Sequence, residues 1–270
     1  MLGPLSAACV LIAFYDLGLR GLLSPWLQLP GAPGGLLWLL LFAVLHAFCC
    51  LGRRMAGVFV ATALITTWLA EDLGVRTGVI FGAYHYNDPP FGQPWLDQVP
   101  PLIPLEWFML LYPAFMITNL MLFGRPLTAR RANAAWAAFV GAVVVTTFDV
   151  VADPIEAGTG CGNACGWTWV QGGPYFGVPV HNFVGWVCTA VGVYLCWRLV
   201  ARSLPEPSQP LPLWLAGLPL IAWLTELLDG MQPPPGLHTV PAMLVIAPFV
   251  MGLPLLLAAN GLWRYASHKG

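Results

Sequence analysis

Two aspartates on one predicted helix are the strongest candidates for chemistry in this sequence. Asp149 and Asp153 stand four residues apart, so a helix places both carboxyls on one face, which Thr146 shares. Two like charges this close, partly out of water, keep one carboxyl protonated beside an ionised partner. A protonated acid next to a base is what general acid–base catalysis requires. The alternative interpretation is structural, because Asp153-Pro154 also fits a helix stop with a capping role.

Further carboxyls lie near the ends of two other apolar runs. Glu71 is the alternative proton donor or water-orienting base. Glu226 and Asp229 are three residues apart and share a helix face. They either complete the same cavity as substrate-binding residues or only solvate a short helix end. We expect Glu71, Asp149 and Asp153 to converge on one pocket.

Two segments rich in glycine and aromatic residues separate the apolar runs. They are residues 77–86 and 166–179, and the second leads into residues 181–186. Their aromatic faces suit an apolar ligand or a developing cation, although an interfacial aromatic belt explains some of them equally well. The candidate substrate-binding residues in and near these segments are Tyr84, Tyr86, Trp107, Trp169, Tyr175, Asn182 and Trp186.

Three histidines give a rival interpretation. His85, His181 and His238 map to the same predicted side as most carboxyls, and three histidines with an aspartate form a metal-ligand inventory. However, no pair shows H-x₃-H spacing or an H-E-x-x-H pattern. We therefore assign no metal ligands, and we keep a metal-dependent membrane hydrolase as an alternative function.

Composition identifies lipid as the solvent of the fold. Hydrophobic residues make up 58% of the 270 residues and charged residues only 9%, against roughly 25% charged in soluble domains. So few charges could not cover a soluble surface of this size. The net charge of −1 argues against a nucleic-acid partner. The first apolar stretch has neither a basic n-region nor an A-x-A-like site, so we expect a helix there rather than a cleaved signal peptide.

The apolar runs predict an all-α, polytopic membrane bundle of seven to eight transmembrane helices in a single domain, residues 1–270. Most runs approach the roughly 20 residues that cross about 30 Å of hydrocarbon. The second and seventh are short, and residues 204–212 form a Pro-rich linker. The predicted spans are residues 4–23, 35–51, 55–73, 102–123, 134–153, 181–201, 211–228 and 239–262.

Loop charges orient the predicted bundle. All basic residues except Arg20 and Arg76 fall in alternate loops on one side, and all acidic residues except Glu206 map to the other. By the positive-inside rule the basic side is cytoplasmic, so we expect both termini inside, in a bacterial-type inner membrane. Carboxylates at helix C-termini meet the unfavourable end of the helix dipole. Protonation, pairing or a polar cavity must therefore compensate them.

The cysteines divide into two groups. Cys161 and Cys165 lie together in a polar loop on the predicted outer side, where an oxidising compartment permits a disulfide. Their spacing allows this bridge without requiring it. The other five lie in apolar runs and are expected to behave as small hydrophobic residues: Cys9, Cys49, Cys50, Cys188 and Cys196.

Several stretches form an ordered set between about residues 65 and 190. They are Glu71-x-x-Gly74-x-x-Thr77-Gly78, Phe81-Gly82-x-Tyr84-x-Tyr86, Val99-Pro100 onward to Glu106-Trp107, Asp149-x-x-x-Asp153-Pro154, Trp167-x-Trp169, and Tyr175-Phe176-Gly177-Val178-Pro179-x-x-Asn182-Phe183-x-Gly185-Trp186. This set resembles the carotenoid-biosynthesis membrane-protein family, which includes bisanhydrobacterioruberin hydratase and γ-carotene 1′-hydratase. The sequence departs from the pattern between Glu156 and Gly166, where the loop is longer.

The resemblance implies a hydro-lyase that adds water to the terminal C1=C2 bond of an acyclic carotenoid ψ-end group, giving a tertiary alcohol. The implied partners are a carotenoid or other long isoprenoid substrate and membrane lipid, with room for contact with other carotenoid enzymes. Such chemistry needs a protonated carboxyl, a shielded tertiary cation and one positioned water, but no redox or metal cofactor. The alternatives are the metal-dependent hydrolase of lipid amides or esters and a non-enzymatic carotenoid-binding or scaffold protein.

Overall fold

The described part of the chain is mainly helical. A computed structural model describes residues 3–15, 35–87, 97–127, 133–160, 165–204, 210–233 and 238–267. The helices are α1 (Pro4–Phe14), α2 (Gly35–Leu51), α3 (Arg53–Thr77), α4 (Leu102–Phe123), α5 (Ala134–Glu156), α6 (Val180–Ala201), α7 (Leu213–Met231), α8 (Met243–Val250) and α9 (Gly252–Ser267), and the strands are β1 (Tyr84–Tyr86) and β2 (Trp167–Trp169).

Six helical segments in these ranges are long and apolar enough to cross a membrane. They are α3, α4, α5, α6, α7 and the α8–α9 unit, in which Met251 interrupts the helix. The chain is therefore an integral membrane protein with a helical fold, as predicted. The first two predicted spans correspond to the shorter apolar helices α1 and α2. The predicted count of seven to eight is not confirmed. The first predicted span continues beyond the described residues, and most of the 204–212 linker also lies outside them.

Helix α4 occupies the centre of the bundle. Almost all of its length is buried, and it contacts α2, α3, α5, α7 and α9. Its apolar residues are spread over all faces of the helix, which is typical of a helix surrounded by other helices. The helices around it expose more of their apolar side chains, such as Ile65 of α3 and Leu256 of α9. In a membrane, those side chains face lipid.

Small residues let the helices approach closely. A Cβ atom on Gly261 of α9 would lie 2.0 Å from the Leu120 carbonyl oxygen of α4. A Cβ atom on Gly141 of α5 would lie 2.9 Å from the Tyr194 ring of α6. Such contacts are typical of helix interfaces within membranes, where packing rather than burial from water drives association.

The two segments rich in glycine and aromatic residues pair with each other, which the sequence did not predict. Strands β1 and β2 are antiparallel, with Tyr84 opposite Trp169 and Tyr86 opposite Trp167. Because side chains alternate along a strand, these four aromatics share one face of the small sheet. The intervening pair, His85 and Thr168, is exposed on the other face.

Glycines seat the first of these segments against the helices. Gly78 ends α3 in the left-handed conformation, with φ 68°, and its N–H donates to the Gly74 carbonyl at 2.7 Å. Gly185 of α6 allows the segment to pack directly on that helix, because a Cβ atom there would lie 2.2 Å from the Ile80 carbonyl oxygen. The aromatic face of β1 is thereby placed over the helix ends.

Candidate active site

A cavity lies where the two strands cover the ends of α3, α4, α5 and α6. The space between its walls, including the part open to the outside, is about 680 Å³. The structure brings Glu71, Asp149 and Asp153 together here, as expected. In all, nine of the twelve candidate residues line the cavity: Glu71, Tyr84, Tyr86, Trp107, Asp149, Asp153, Trp169, Asn182 and Trp186.

Asn182 joins the two aspartates of α5. Its Nδ2 donates to Asp149 Oδ2 at 2.7 Å and to Asp153 Oδ2 at 2.7 Å. All three side chains are buried. The other oxygen of Asp153, Oδ1, accepts from Trp167 Nε1 at 2.9 Å. Both amide protons of Asn182 are thus donated to carboxyl oxygens. Asp153 accepts a hydrogen bond at each oxygen, whereas Asp149 accepts one at Oδ2.

Glu71 is held as a hydrogen-bond acceptor by three aromatic side chains. Its Oε1 accepts from Trp107 Nε1 at 2.8 Å. Its Oε2 accepts from Tyr86 Oη at 2.8 Å and also from Tyr84 Oη. Three donors occupy most of the roughly four acceptor positions of a carboxylate. A proton on Glu71 would displace one of these donors.

The two tyrosines of β1 are suited to donate to Glu71. Burial raises the pKa of Tyr84 and of Tyr86 well above the ordinary value, and the neighbouring Glu71 charge raises each pKa further. Both phenols therefore keep their protons and remain donors across the physiological range.

Aromatic rings form much of the cavity wall. Trp107 of α4 and Trp186 of α6 stack, with ring centroids 3.8 Å apart and an interplanar angle of 25°. Tyr84 contacts both Tyr86 and Trp169, at centroid distances of 5.5 and 5.2 Å. Ring faces of this kind attract a cation within about 6 Å.

Sequence reasoning missed two further carboxyls of the cavity. Glu106 and Glu156 both line it, although the sequence analysis only mapped them to the acidic side of the bundle. The spacing carried a signal for Glu156, because residues 149, 153 and 156 recur on one helix face. Five carboxyls therefore line the cavity, and none of the described lining residues is Lys, Arg or His.

Two carboxyls outside the cavity differ in having a basic partner. Asp72 and Asp97 both pair with Arg76, at 2.9 Å in the first case. Among the described residues, the cavity carboxyls are instead balanced by neutral donors such as Asn182 and the indoles. So many like charges out of water cannot all be ionised together, so the cavity must hold protons.

Three candidate residues do not line the cavity. Tyr175 lies outside it and ties its loop to α5, because its hydroxyl donates to the Val150 carbonyl at 3.0 Å. Burial raises the pKa of Tyr175 to about 12, helped by the charge of Asp149. Glu226 and Asp229 are near the same end of the bundle, but α7 packs on another face of α5, where Gly230 meets Val151.

The histidines do not converge with the carboxyls. His85 and His181 are exposed, and His238 packs near Gly160. None of the three lines the cavity. Within the described ranges, no group of three His, Cys, Asp or Glu side chains is placed to hold a metal ion.

A disulfide lies beside the site. Cys165 is disulfide-bonded, and its predicted partner Cys161 lies outside the described residues. The next residue, Gly166, donates its N–H to the Glu156 carbonyl at 2.9 Å. This part of the loop is thereby tied to the end of α5, which brings Trp167 to Asp153. The five cysteines of the apolar runs are free.

A family model described as "Carotenoid biosynthesis protein" matches residues 34–232. The match covers every residue that lines the cavity. Among curated proteins and solved structures, none matches the chain.

Proposed function

We propose a function from one premise: the chain belongs to the carotenoid biosynthesis protein family, whose model matches well over half of its residues. The family and the membrane-spanning helices give it a role in carotenoid metabolism within a membrane. The finer proposal is a cofactor-independent hydratase that adds water to the terminal C1=C2 bond of an acyclic carotenoid. The observation that carries it is the Asp149–Asn182–Asp153 unit inside an aromatic cavity.

Asp149 is the proposed proton donor. Asn182 holds its Oδ2, whereas no described residue donates to its Oδ1. Asp153 accepts hydrogen bonds at both oxygens, which favours its ionised form over that of Asp149. The proton shared by this pair therefore resides on Asp149, from which it passes to C2 of the alkene.

Protonation at C2 leaves a tertiary cation at C1. The stacked Trp107 and Trp186 and the tyrosines of β1 offer ring faces to this cation. Glu71 contributes negative charge nearby and orients three of these aromatic side chains. We assign Glu71 this electrostatic and positioning role, because its three donors leave little room for an acidic proton.

Water completes the reaction at C1. As the C–O bond forms, Asp153 accepts the proton that the water loses. Transfer of that proton from Asp153 to Asp149 restores the starting state. Overall one alkene and one water give one tertiary alcohol, with no change in oxidation state of the protein.

The apolar wall suits an isoprenoid end group. Ile103, Met109 and Leu110 of α4 and Phe148 of α5 line the cavity beside the carboxyls. In this proposal only the end group enters the cavity, and the polyene lies along the helices or in lipid. We further propose that the cavity faces the outer side of a bacterial-type inner membrane. The disulfide at Cys165 supports that orientation, since disulfides persist in oxidising compartments.

The test is co-expression of the full chain in a lycopene-producing host, followed by mass analysis of the pigments. The expected product gains the mass of one water for each hydrated end. Pigment that co-purifies with the protein but never gains this mass would favour the carotenoid-binding or scaffold alternative. Activity that a chelator abolishes and added zinc restores would favour the metal-dependent alternative.

A further inference from the structure

Trp169 carries a buried N–H group without a hydrogen-bond partner in the described structure. The residue is only 8% exposed, and its ring lines the cavity. A buried donor that stays unpaired costs free energy, so such a group at a polar cavity requires an explanation. A Trp N–H can only donate, which means that its missing partner is an acceptor.

Three other indoles show what sets Trp169 apart. Trp38, Trp68 and Trp223 also have buried N–H groups without a partner among the described residues. None of them lines the cavity. Trp169 is the member of this group that lies beside the carboxyls of the cavity, where an acceptor has polar neighbours.

The strand holds the Trp169 ring in place. Trp169 pairs with Tyr84 across the small sheet, and the two rings are 5.2 Å apart. Its donor is therefore directed by the backbone register rather than by a mobile loop. Trp167, two residues earlier and on the same face of β2, donates directly to Asp153 Oδ1 at 2.9 Å.

Trp169 also approaches this carboxyl. Its N–H interacts with Asp153, but outside the geometry of a regular hydrogen bond. A water beside the two groups would accept from Trp169 and donate to Asp153.

We propose that Trp169 is the water-positioning residue of the hydration reaction: its N–H binds the oxygen that attacks C1 and becomes the hydroxyl of the alcohol. This inference rests on the proposed function. Asp149 supplies the proton of the new C2–H bond, and a water lone pair forms the C1–O bond. The released water proton passes to Asp153. Without the N–H, the cation still forms but is poorly captured, so it loses a proton and returns to an alkene.

The test separates protonation from capture by water. The full chain, reconstituted in liposomes with lycopene, is assayed in D₂O for two products: alcohol, and recovered alkene that has gained deuterium. For Trp169→Phe, which keeps an aromatic ring and removes the N–H, hydration is expected to fall about tenfold. Deuterium exchange should persist, so the ratio of exchange to hydration rises. Trp169→His restores a ring donor and should recover part of the hydration.

Trp223→Phe is the matched control. Trp223 is buried more deeply still and is likewise without a partner among the described residues, but it lies outside the cavity. Its variant should hydrate and exchange as the wild type does, whereas Asp149→Asn should lose both reactions. If Trp169→Phe behaves like Trp223→Phe, the inference is overturned.

A binding measurement covers the case in which the wild type hydrates nothing. The detergent-solubilised chain is titrated with 2,6-dimethyloctan-2-ol and with the alkene of the same skeleton. The expected wild-type preference for the alcohol is about tenfold and is lost in Trp169→Phe but kept in Trp223→Phe. Absence of hydration and exchange in the wild type overturns the proposed function. An unchanged alcohol preference in Trp169→Phe overturns the role of its N–H.

Discussion

Two buried polar regions of this protein differ in how completely their hydrogen bonds are satisfied. In the first, fully buried His46 of α2 uses both ring nitrogens, with Nδ1 2.7 Å from Tyr112 Oη and Nε2 2.8 Å from the Leu215 carbonyl oxygen. A carbonyl can only accept, so Nε2 carries the proton and Nδ1 accepts from Tyr112. The ring thereby links α2, α4 and α7.

The cavity is the second region, and it has acceptors in surplus. Five carboxyls line it without a basic side chain among the described lining residues, and Trp169 keeps an unused donor. A network whose donors and acceptors all have partners has no free group to bind a ligand. A network with unused donors or acceptors does have such groups. The comparison fits a structural role for His46 and supports the proposal that the cavity holds a reactant.

The largest expected effect is on the aspartate pair. Asp149→Asn and Asp153→Asn keep the size of each side chain but remove the acid or the base, so hydration should fall at least about 10². Pigment mass analysis of each variant measures this. Protein yield and carotenoid retention should survive, because an amide still forms hydrogen bonds in the cavity.

The pair would lose its assignment if both variants hydrated at near-normal rates. Loss of activity in Glu71→Gln, with both aspartate variants active, would move the acid to α3. Leu213→Ala, which changes an exposed apolar residue at the start of α7, is a control for expression and membrane insertion.

Substitution of His46 should instead lower the stability of the protein. His46→Ala leaves the Tyr112 hydroxyl and the Leu215 carbonyl without their buried partner, which costs about 1–3 kcal/mol before any loss of packing. Thermal unfolding of the detergent-solubilised protein should show this loss. Hydration per folded molecule should remain close to that of the wild type, and a selective loss of hydration would break the comparison.

Sequence reasoning located the carboxyls well because helical spacing is local information. The four-residue interval places Asp149 and Asp153 on one face, and the loop charges place Glu71 at the same end. It could not predict Asn182 as the bridge between the aspartates, since this depends on how α6 is rotated against α5. Nor could it predict the pairing of β1 with β2, because the register joins segments about eighty residues apart.

Membrane side alone could not decide between the two interpretations of Glu226 and Asp229. Glu226 and Asp229 share an end of the bundle with the cavity, but they lie on a helix that packs against the opposite face of α5. Hydropathy and charge give the depth of a residue in the membrane, whereas its angular position around the bundle comes from tertiary packing. The same limit explains why Glu156 was not recognised as a cavity residue.

The two tyrosines that donate to Glu71 should have a smaller effect, which is on stability and is confined to alkaline pH. The pKa values of Tyr84 and Tyr86 are raised in the folded protein above their ordinary value of 10.0. Below that pH both states keep the protons, so these groups cause no pH dependence of stability. Above it the unfolded chain releases them first, and stability should fall as pH rises towards the folded pKa values.

Melting temperatures measured from pH 8 to pH 11 check this prediction, with Tyr86→Phe as the test variant. The variant should lose part of the decline above pH 10, because one of the two phenols is gone. Tyr265→Phe is the comparison, as Tyr265 lies at the other end of the chain and donates to the Leu211 carbonyl. An identical decline in the wild type and in Tyr86→Phe would contradict the raised pKa of Tyr86.

The smallest effect is expected at the acids of α7. Glu226→Gln and Asp229→Asn remove carboxyls that lie outside the cavity, so hydration should stay within about twofold of the wild type, as for surface changes away from a site. Glu156→Gln is the informative partner, because it removes one carboxyl of the cavity itself at the same end of the bundle. It should change the rate and its pH dependence, since fewer like charges then compete for the protons of the Asp149–Asp153 pair. A loss of hydration in the α7 variants larger than that in Glu156→Gln would show that α7 reaches the substrate and that the site extends beyond the cavity.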